Sequence, residues 1–137
     1  MGESQENPSS ISAASNAHKE LSKNYSTIGS ESLKVSPVDF TKNYYVEYVS
    51  TDEIGKTVEF TIDAYSNQAC VLKIYSKINS SYTAVSVSIP ANTPGTYTIT
   101  TSISSQASEI RYRCEPVLAN QFNGCFYYTT NWRIRTP

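Results

Sequence analysis

The sequence predicts an all-β fold: a two-sheet antiparallel β-sandwich of jelly-roll topology with about eight strands. Three observations predict it. Apolar residues recur at every second position from Ser32 onward. Turn signals interrupt that alternation roughly every ten residues. No segment between the turns carries the apolar stripe of a helix.

Residues 1–31 are polar and weakly patterned. They read as a leader, loosely ordered over residues 1 to about 6 because nothing apolar anchors it, with a short edge strand near residues 10–14. Residues 13–21 suggest at most a helical turn or two. Leu33, Val35 and Pro37 then share one side of a first strand. Tyr44, Val46 and Tyr48 alternate with Tyr45, Glu47 and Val49, and residues 52–56 form a turn. The clearest half-buried strand follows, with Val58, Phe60, Ile62 and Ala64 against Glu59, Thr61 and Asp63. Cys70, Leu72 and Ile74 alternate with Val71, Lys73 and Tyr75; Val85, Val87 and Ile89 alternate with serines. After the punctuation of residues 90–95 come Tyr97, Ile99 and Ile103, then Ile110, Tyr112 and Cys114 against Arg111, Arg113 and Glu115. A loop through Asn120, Asn123 and Gly124 leads to a last strand over residues 125–135. One apolar face per strand requires a second sheet to cover it. The predicted core is Phe60, Ile62, Leu72, Ile74, Val85, Val87, Ile99 and Ile110. Trp132 joins it by sharing parity with Tyr128 and Ile134.

Composition narrows the function. The 137 residues fit a single sandwich domain. Charged residues are 17% and the net charge is −1, which gives no electrostatic basis for nucleic-acid binding. The four arginines all lie from residue 111 onward, beside a single Glu, whereas the preceding part carries seven Lys and eleven acids. No apolar run approaches the ~20 residues of a membrane span. The cysteines are Cys70, Cys114 and Cys125, an odd number. Three buried thiols are the favoured reading, with any one of three single bridges as alternatives.

Catalysis finds little support. His18 is the single histidine and sits in the leader, which removes Ser-His-Asp and Cys-His arrangements. The cysteines lack zinc-ligand spacing. Glu59 and Asp63 share a strand face but stand roughly 13 Å apart, beyond the separation of a glycosidase pair. The chain is therefore expected to have no catalytic residues and no metal site.

Four stretches carry a family resemblance: Asn7-Pro8-Ser9; Ile28 to Val35 with its Gly-Ser and Leu-Lys-Val; Gly55 to Thr61 followed by Ala64-Tyr65; and Tyr128 to Ile134. Together they resemble the jelly-roll carbohydrate-binding modules and the similar modules of phage tail and cell-surface proteins. The resemblance spans nearly the whole chain. It implies a binding module of a secreted, cell-surface or virion protein, whose partner is a glycan or a neighbouring protein chain, with homo-oligomers among the outcomes. The family often carries Asp, a structural calcium ligand, where Thr130 stands here. Calcium wants several oxygens including carboxylates, so no cofactor is expected.

Sugar recognition needs flat aromatic surfaces for pyranose rings and planar polar groups for hydroxyls. Tyr45, Lys73, Tyr75, Arg111 and Arg113 supply both at outward parity on three strands, and they are the predicted ligand-binding residues. The loops at residues 52–56 and 119–124 are the fallback. Two functions compete: a non-catalytic carbohydrate-binding module, and a structural or receptor-binding module of a phage tail or cell-surface fibre. A monomer with an aromatic groove favours the first and a trimer favours the second.

Overall fold

A computed structural model of the chain describes residues 3–6, 12–13, 17–22, 32–37, 44–117 and 127–137. These residues form eleven strands: β1 (Glu3–Glu6), β2 (Ser12–Ala13), β3 (Ala17–Ser22), β4 (Ser32–Pro37), β5 (Val46–Ser50), β6 (Thr57–Ser66), β7 (Cys70–Ile78), β8 (Ser81–Ile89), β9 (Gly95–Ser102), β10 (Glu109–Pro116) and β11 (Tyr127–Arg135). One sheet runs β3-β4-β11-β6-β9, with β1 also paired to β11. The other runs β2-β5-β10-β7-β8. Every pairing is antiparallel. This is the two-sheet sandwich that alternation predicts.

The core lies between the sheets. Val58, Phe60, Ile62 and Ala64 of β6 point inward and are buried, while Glu59, Thr61, Asp63 and Tyr65 between them are only partly so. Across the core stand Leu72 and Ile74 of β7 with Ile110, Tyr112 and Cys114 of β10. Phe60 meets Tyr112 edge to face at 5.0 Å between ring centroids, a favoured aromatic geometry. Cys70 and Cys114 are both buried thiols; Cys125 lies outside the described residues.

Six of the eight predicted core residues are buried: Phe60, Ile62, Leu72, Ile74, Ile99 and Ile110. Val85 is not, at 42% exposed, and Val87 is only partly buried. Both have inward parity, but among the described residues β8 is an edge strand and only its Ile89 end is covered. Parity sets the face a side chain takes, whereas burial also needs the opposite sheet to reach that far.

The N-terminal third departs from expectation. Glu3–Glu6, in the stretch read as leader, pair with the closing strand from Glu3↔Arg135 to Glu6↔Trp132. Backbone hydrogen bonding places this segment without an apolar anchor. Against the helical turns suggested over residues 13–21, the described residues of that stretch are strand: Ala13 ends β2, and Ala17–Ser22 is a strand against β4 with His18 opposite Ser36. The short edge strand expected near residues 10–14 is β2.

Truncating Ile62 tests the assigned core. Ile62 is fully buried at the centre of β6, and Ile62→Ala should cost about 2–4 kcal/mol in urea unfolding. A change near zero would mean that β6 turns its other face inward.

Candidate functional site

On a strand, side chains two apart share a face, and antiparallel register fixes their neighbours on the next strand. In the five-stranded sheet, Arg113 lies between Glu47 of β5 and Lys73 of β7, and Arg111 lies between Val49 and Tyr75. Tyr45 precedes β5 at the same parity as Glu47. All five predicted residues, Tyr45, Lys73, Tyr75, Arg111 and Arg113, therefore stand on the outer face of this sheet; the geometry brings Tyr45, Lys73, Tyr75 and Arg113 into contact and joins Arg111 to Arg113 through Glu47.

Arg113 is the centre. Its guanidinium lies 3.7 Å from the Tyr45 ring centroid and 4.7 Å from that of Tyr75, so the cation sits against two π-faces. Its Nε and Nη2 donate to Glu47 Oε1 at 3.1 and 2.8 Å. Arg111 donates to the other Glu47 oxygen at 3.2 Å and to Glu109 Oε2 at 2.6 Å. On the far side of Tyr75, Lys73 Nζ donates to the Tyr75 hydroxyl at 3.2 Å, and that hydroxyl donates to Glu115 Oε1 at 2.8 Å. Two carboxylates on this face, Glu47 and Glu115, are nearly buried at 8% and 5% exposed. Such charges are tolerated only when paired and hydrogen-bonded, as both are here.

The ionisation states follow from these contacts. Burial pulls the Lys73 ammonium down, but its bond to Tyr75 and the charge of Glu115 outweigh this, so it sits above the usual lysine range. The hydrogen bond from Arg111 holds the Glu109 carboxyl below the usual carboxylate range, and the same bond raises the Arg111 guanidinium.

Sequence reasoning missed Tyr82. Its hydroxyl donates to Glu109 at 3.0 Å. Its ring stands perpendicular to Tyr75 at 6.2 Å and lies under Arg111 at 5.6 Å and Lys77 at 5.8 Å. The signal was available. Asn79-Ser80 is a two-residue turn with Asn79 at φ 58°, a conformation Asn tolerates. That turn sets Lys77 opposite Tyr82 and Tyr75 opposite Ala84, which places Tyr82 on the same face.

The fallback loop at residues 52–56 is anchored from within. Glu53 is buried and accepts the Tyr112 hydroxyl hydrogen at 2.6 Å, pinning the loop to the core. Residues 119–124 lie outside the described residues.

The opposite sheet carries the other carboxylates considered. Glu59 pairs with Arg135 at 3.2 Å. Asp63 accepts from Thr96 at 2.7 Å and from Asn131 Nδ2 at 2.8 Å, with Arg133 at 3.6 Å. Asn131 is thus committed to Asp63, whose two oxygens are already engaged by donors and a cation. With Thr130 in place of Asp, this end of the closing strand does not fit a calcium ion.

No family model matches the sequence, and no curated protein matches it. Solved structures do. The C-terminal family 22 carbohydrate binding module of Clostridium thermocellum Xyn10B aligns with a TM-score of 0.71 at 17% identity, over 95% of this chain and 87% of that one. This chain has the fold of a carbohydrate-binding module. The tandem family 22 modules of Paenibacillus barcinonensis Xyn10C align with a TM-score of 0.73 at 14% identity, over 96% of this chain and 47% of theirs. The bacteriophage CBA120 tailspike protein 4 also contains the fold, with a TM-score of 0.70 at 12% identity over 93% of this chain and 19% of that one.

Proposed function

We propose that this chain is a non-catalytic carbohydrate-binding module, and that its ligand lies on the outer face of the five-stranded sheet. The observation that carries the reading is the convergence of Tyr45, Lys73, Tyr75, Arg111 and Arg113 into one aromatic–guanidinium–carboxylate array. Such an array offers ring surfaces to pyranose faces and planar donors and acceptors to hydroxyls. Similar solved modules are described as xylan-binding, which supports the same reading. Lys73, Arg111 and Arg113 each already hold a carboxylate partner. A neutral, hydroxyl-rich chain therefore suits the face better than a polyanion. The same reading has the protein act outside the cell, at a cell surface or on a virion. Among the described residues, no helix is long and apolar enough to cross a membrane.

The tailspike likeness favours a second reading, a structural or receptor-binding module of a phage tail or surface fibre, whose partner is a neighbouring chain. A glycan array on the purified protein, with xylan and other neutral polysaccharides beside uronic-acid polymers, tests the first reading. Signal on neutral polysaccharides is the expected result. No glycan signal, together with a stable trimer in solution, would favour the second.

A further inference from the structure

We propose that β8 is a self-association edge, through which two copies of this chain pair antiparallel into one continuous sheet. An edge strand offers a row of unpaired backbone N–H and C=O groups, and natural sheets guard such edges by shortness, Lys, Pro or a bulge. Among the described residues β8 pairs only with β7, in an uninterrupted register over nine residues. It holds no charge and no proline. Residues 81–86 are all exposed, including Val85 at 42% and Tyr82 at 44%. The other edge of the same sheet, β2, is two residues long.

Charge points to a second copy as the occupant. No charged side chain occurs between Lys77 and Glu109, although the chain is 17% charged. This stretch contains β8 and also β9, the edge strand of the facing sheet. A partner bringing charges to this side would find no counter-charge to pair them as they leave water, whereas the same side of another copy brings none. β9 is the weaker candidate because its exposed residues are threonines and serine, with no large apolar side chain among them.

The ladder geometry supports a particular register. The two-residue turn closes on the hydrogen-bonded pair Ile78/Ser81, so alternate residues of β8 use their backbone groups toward β7. The residues between them, Tyr82, Ala84, Ser86 and Ser88, turn theirs to the free edge. A two-fold axis at Val85 pairs Tyr82 with Ser88 and Ala84 with Ser86 of the other copy. These four hydrogen-bonded pairs supply about eight bonds. Val85 then meets Val85 of the other copy at the close, non-hydrogen-bonded spacing of about 4.5 Å between Cα atoms. Thr83 faces Val87. No pair sets like charges against each other. The two-fold keeps corresponding faces on the same side, so the two Tyr75–Arg113 arrays would lie side by side; their joint use of a polysaccharide rests on the proposed function, whereas the pairing does not.

Sedimentation equilibrium of the full chain, without ligand, over roughly 5–500 µM tests the proposal in the weak-to-moderate range expected for a small interface. A monomer–dimer equilibrium is expected. Val85→Lys sets two ammonium groups opposite each other in place of the Val–Val contact and should weaken dimerisation roughly fivefold, the upper end of the effect of one directly opposed cross-strand pair. Val85 is exposed, so folding should be unaffected. An equimolar mixture of Val85→Lys and Val85→Glu should restore the dimer. A wild-type monomer at all concentrations, a trimer, a dimer indifferent to Val85→Lys, or a mixture that stays monomeric would each overturn it.

Discussion

Trp132→Ala should lower the unfolding free energy by about 3–5 kcal/mol, the range for removing a buried Trp or Phe. Trp132 is 2% exposed, packs 5.4 Å from the Phe60 ring, and donates from Nε1 to Thr129 Oγ1 at 3.0 Å. The substitution opens a cavity between the sheets. It also removes the donor to the hydroxyl of Thr129, itself 1% exposed. Trp132→Phe should cost less, because a ring still fills most of the space. Urea titration followed by circular dichroism reads both. A loss under about 1 kcal/mol for the alanine variant would be surface-like and would mean that Trp132 is not turned into the core.

Alkaline pH should unfold the protein steeply, with each of three buried acids contributing about 1.4 kcal/mol per pH unit. Burial pushes the Tyr112 hydroxyl far above its usual value of 10.0, and its bond to the Glu53 carboxylate adds to the rise. Burial also pushes up Tyr127, whose hydroxyl donates to the carbonyls of Tyr44 and Cys114 at 2.7 and 3.1 Å. Burial likewise raises the Cys114 thiol well above its usual 9.0. The native state holds these protons after the unfolded chain releases them. Their contribution is therefore fully present below the unfolded values and is lost as pH rises past them toward the folded ones. The decline should begin near pH 9 and steepen beyond pH 10, where all three groups contribute. Tyr127→Phe should weaken the protein at neutral pH, because two buried carbonyls lose their donor, while flattening the alkaline decline. A urea midpoint constant from pH 8 to 11.5 would contradict the burial of these groups.

Much of the fold was legible because period-two alternation is strong where both neighbours of a strand are present. β6, β7 and β10 turn the residues that alternation assigned to the core inward. Alternation failed where a single backbone event resets it. Asn131 takes φ 53°, and the register of β11 against β6 shifts between Thr130 and Arg133. That bulge exchanges the faces. Tyr127 and Thr129 point inward with Trp132 and Ile134, whereas Tyr128, assigned the parity of Trp132, lies beside Tyr65 on the outer side with ring centroids 6.5 Å apart. Trp132 was placed correctly although the parity argument for it was not. Two of the N-terminal strands were illegible for a different reason: Glu3–Glu6 and Ala17–Ser22 are held by backbone pairing, which leaves no apolar pattern to read.

The shared outer face of Tyr45, Lys73, Tyr75, Arg111 and Arg113 was legible because long polar and aromatic side chains at outward parity are conspicuous among serines and threonines. Their mutual geometry was not. Nothing in the spacing says that Arg113 stacks between Tyr45 and Tyr75, or that Glu47 binds both arginines. Those contacts depend on β5 and β7 flanking β10, which is set by topology and not by local sequence.

Tyr75→Ala/Arg113→Ala tests most directly whether this array binds a glycan. The double substitution removes the central cation and the ring shared with Lys73 and Tyr82, and leaves Glu47 its partner Arg111. Binding to the polysaccharide identified on the array is measured by titration calorimetry for the wild-type and double-mutant proteins, with circular dichroism to verify the fold. Interactions of this kind lose rotamer freedom and give weak individual affinities, so several must act together. The predicted result is a native-like spectrum with affinity reduced at least tenfold, corresponding to about 1.4 kcal/mol. A folded double mutant that binds with wild-type affinity would contradict the assignment of this face.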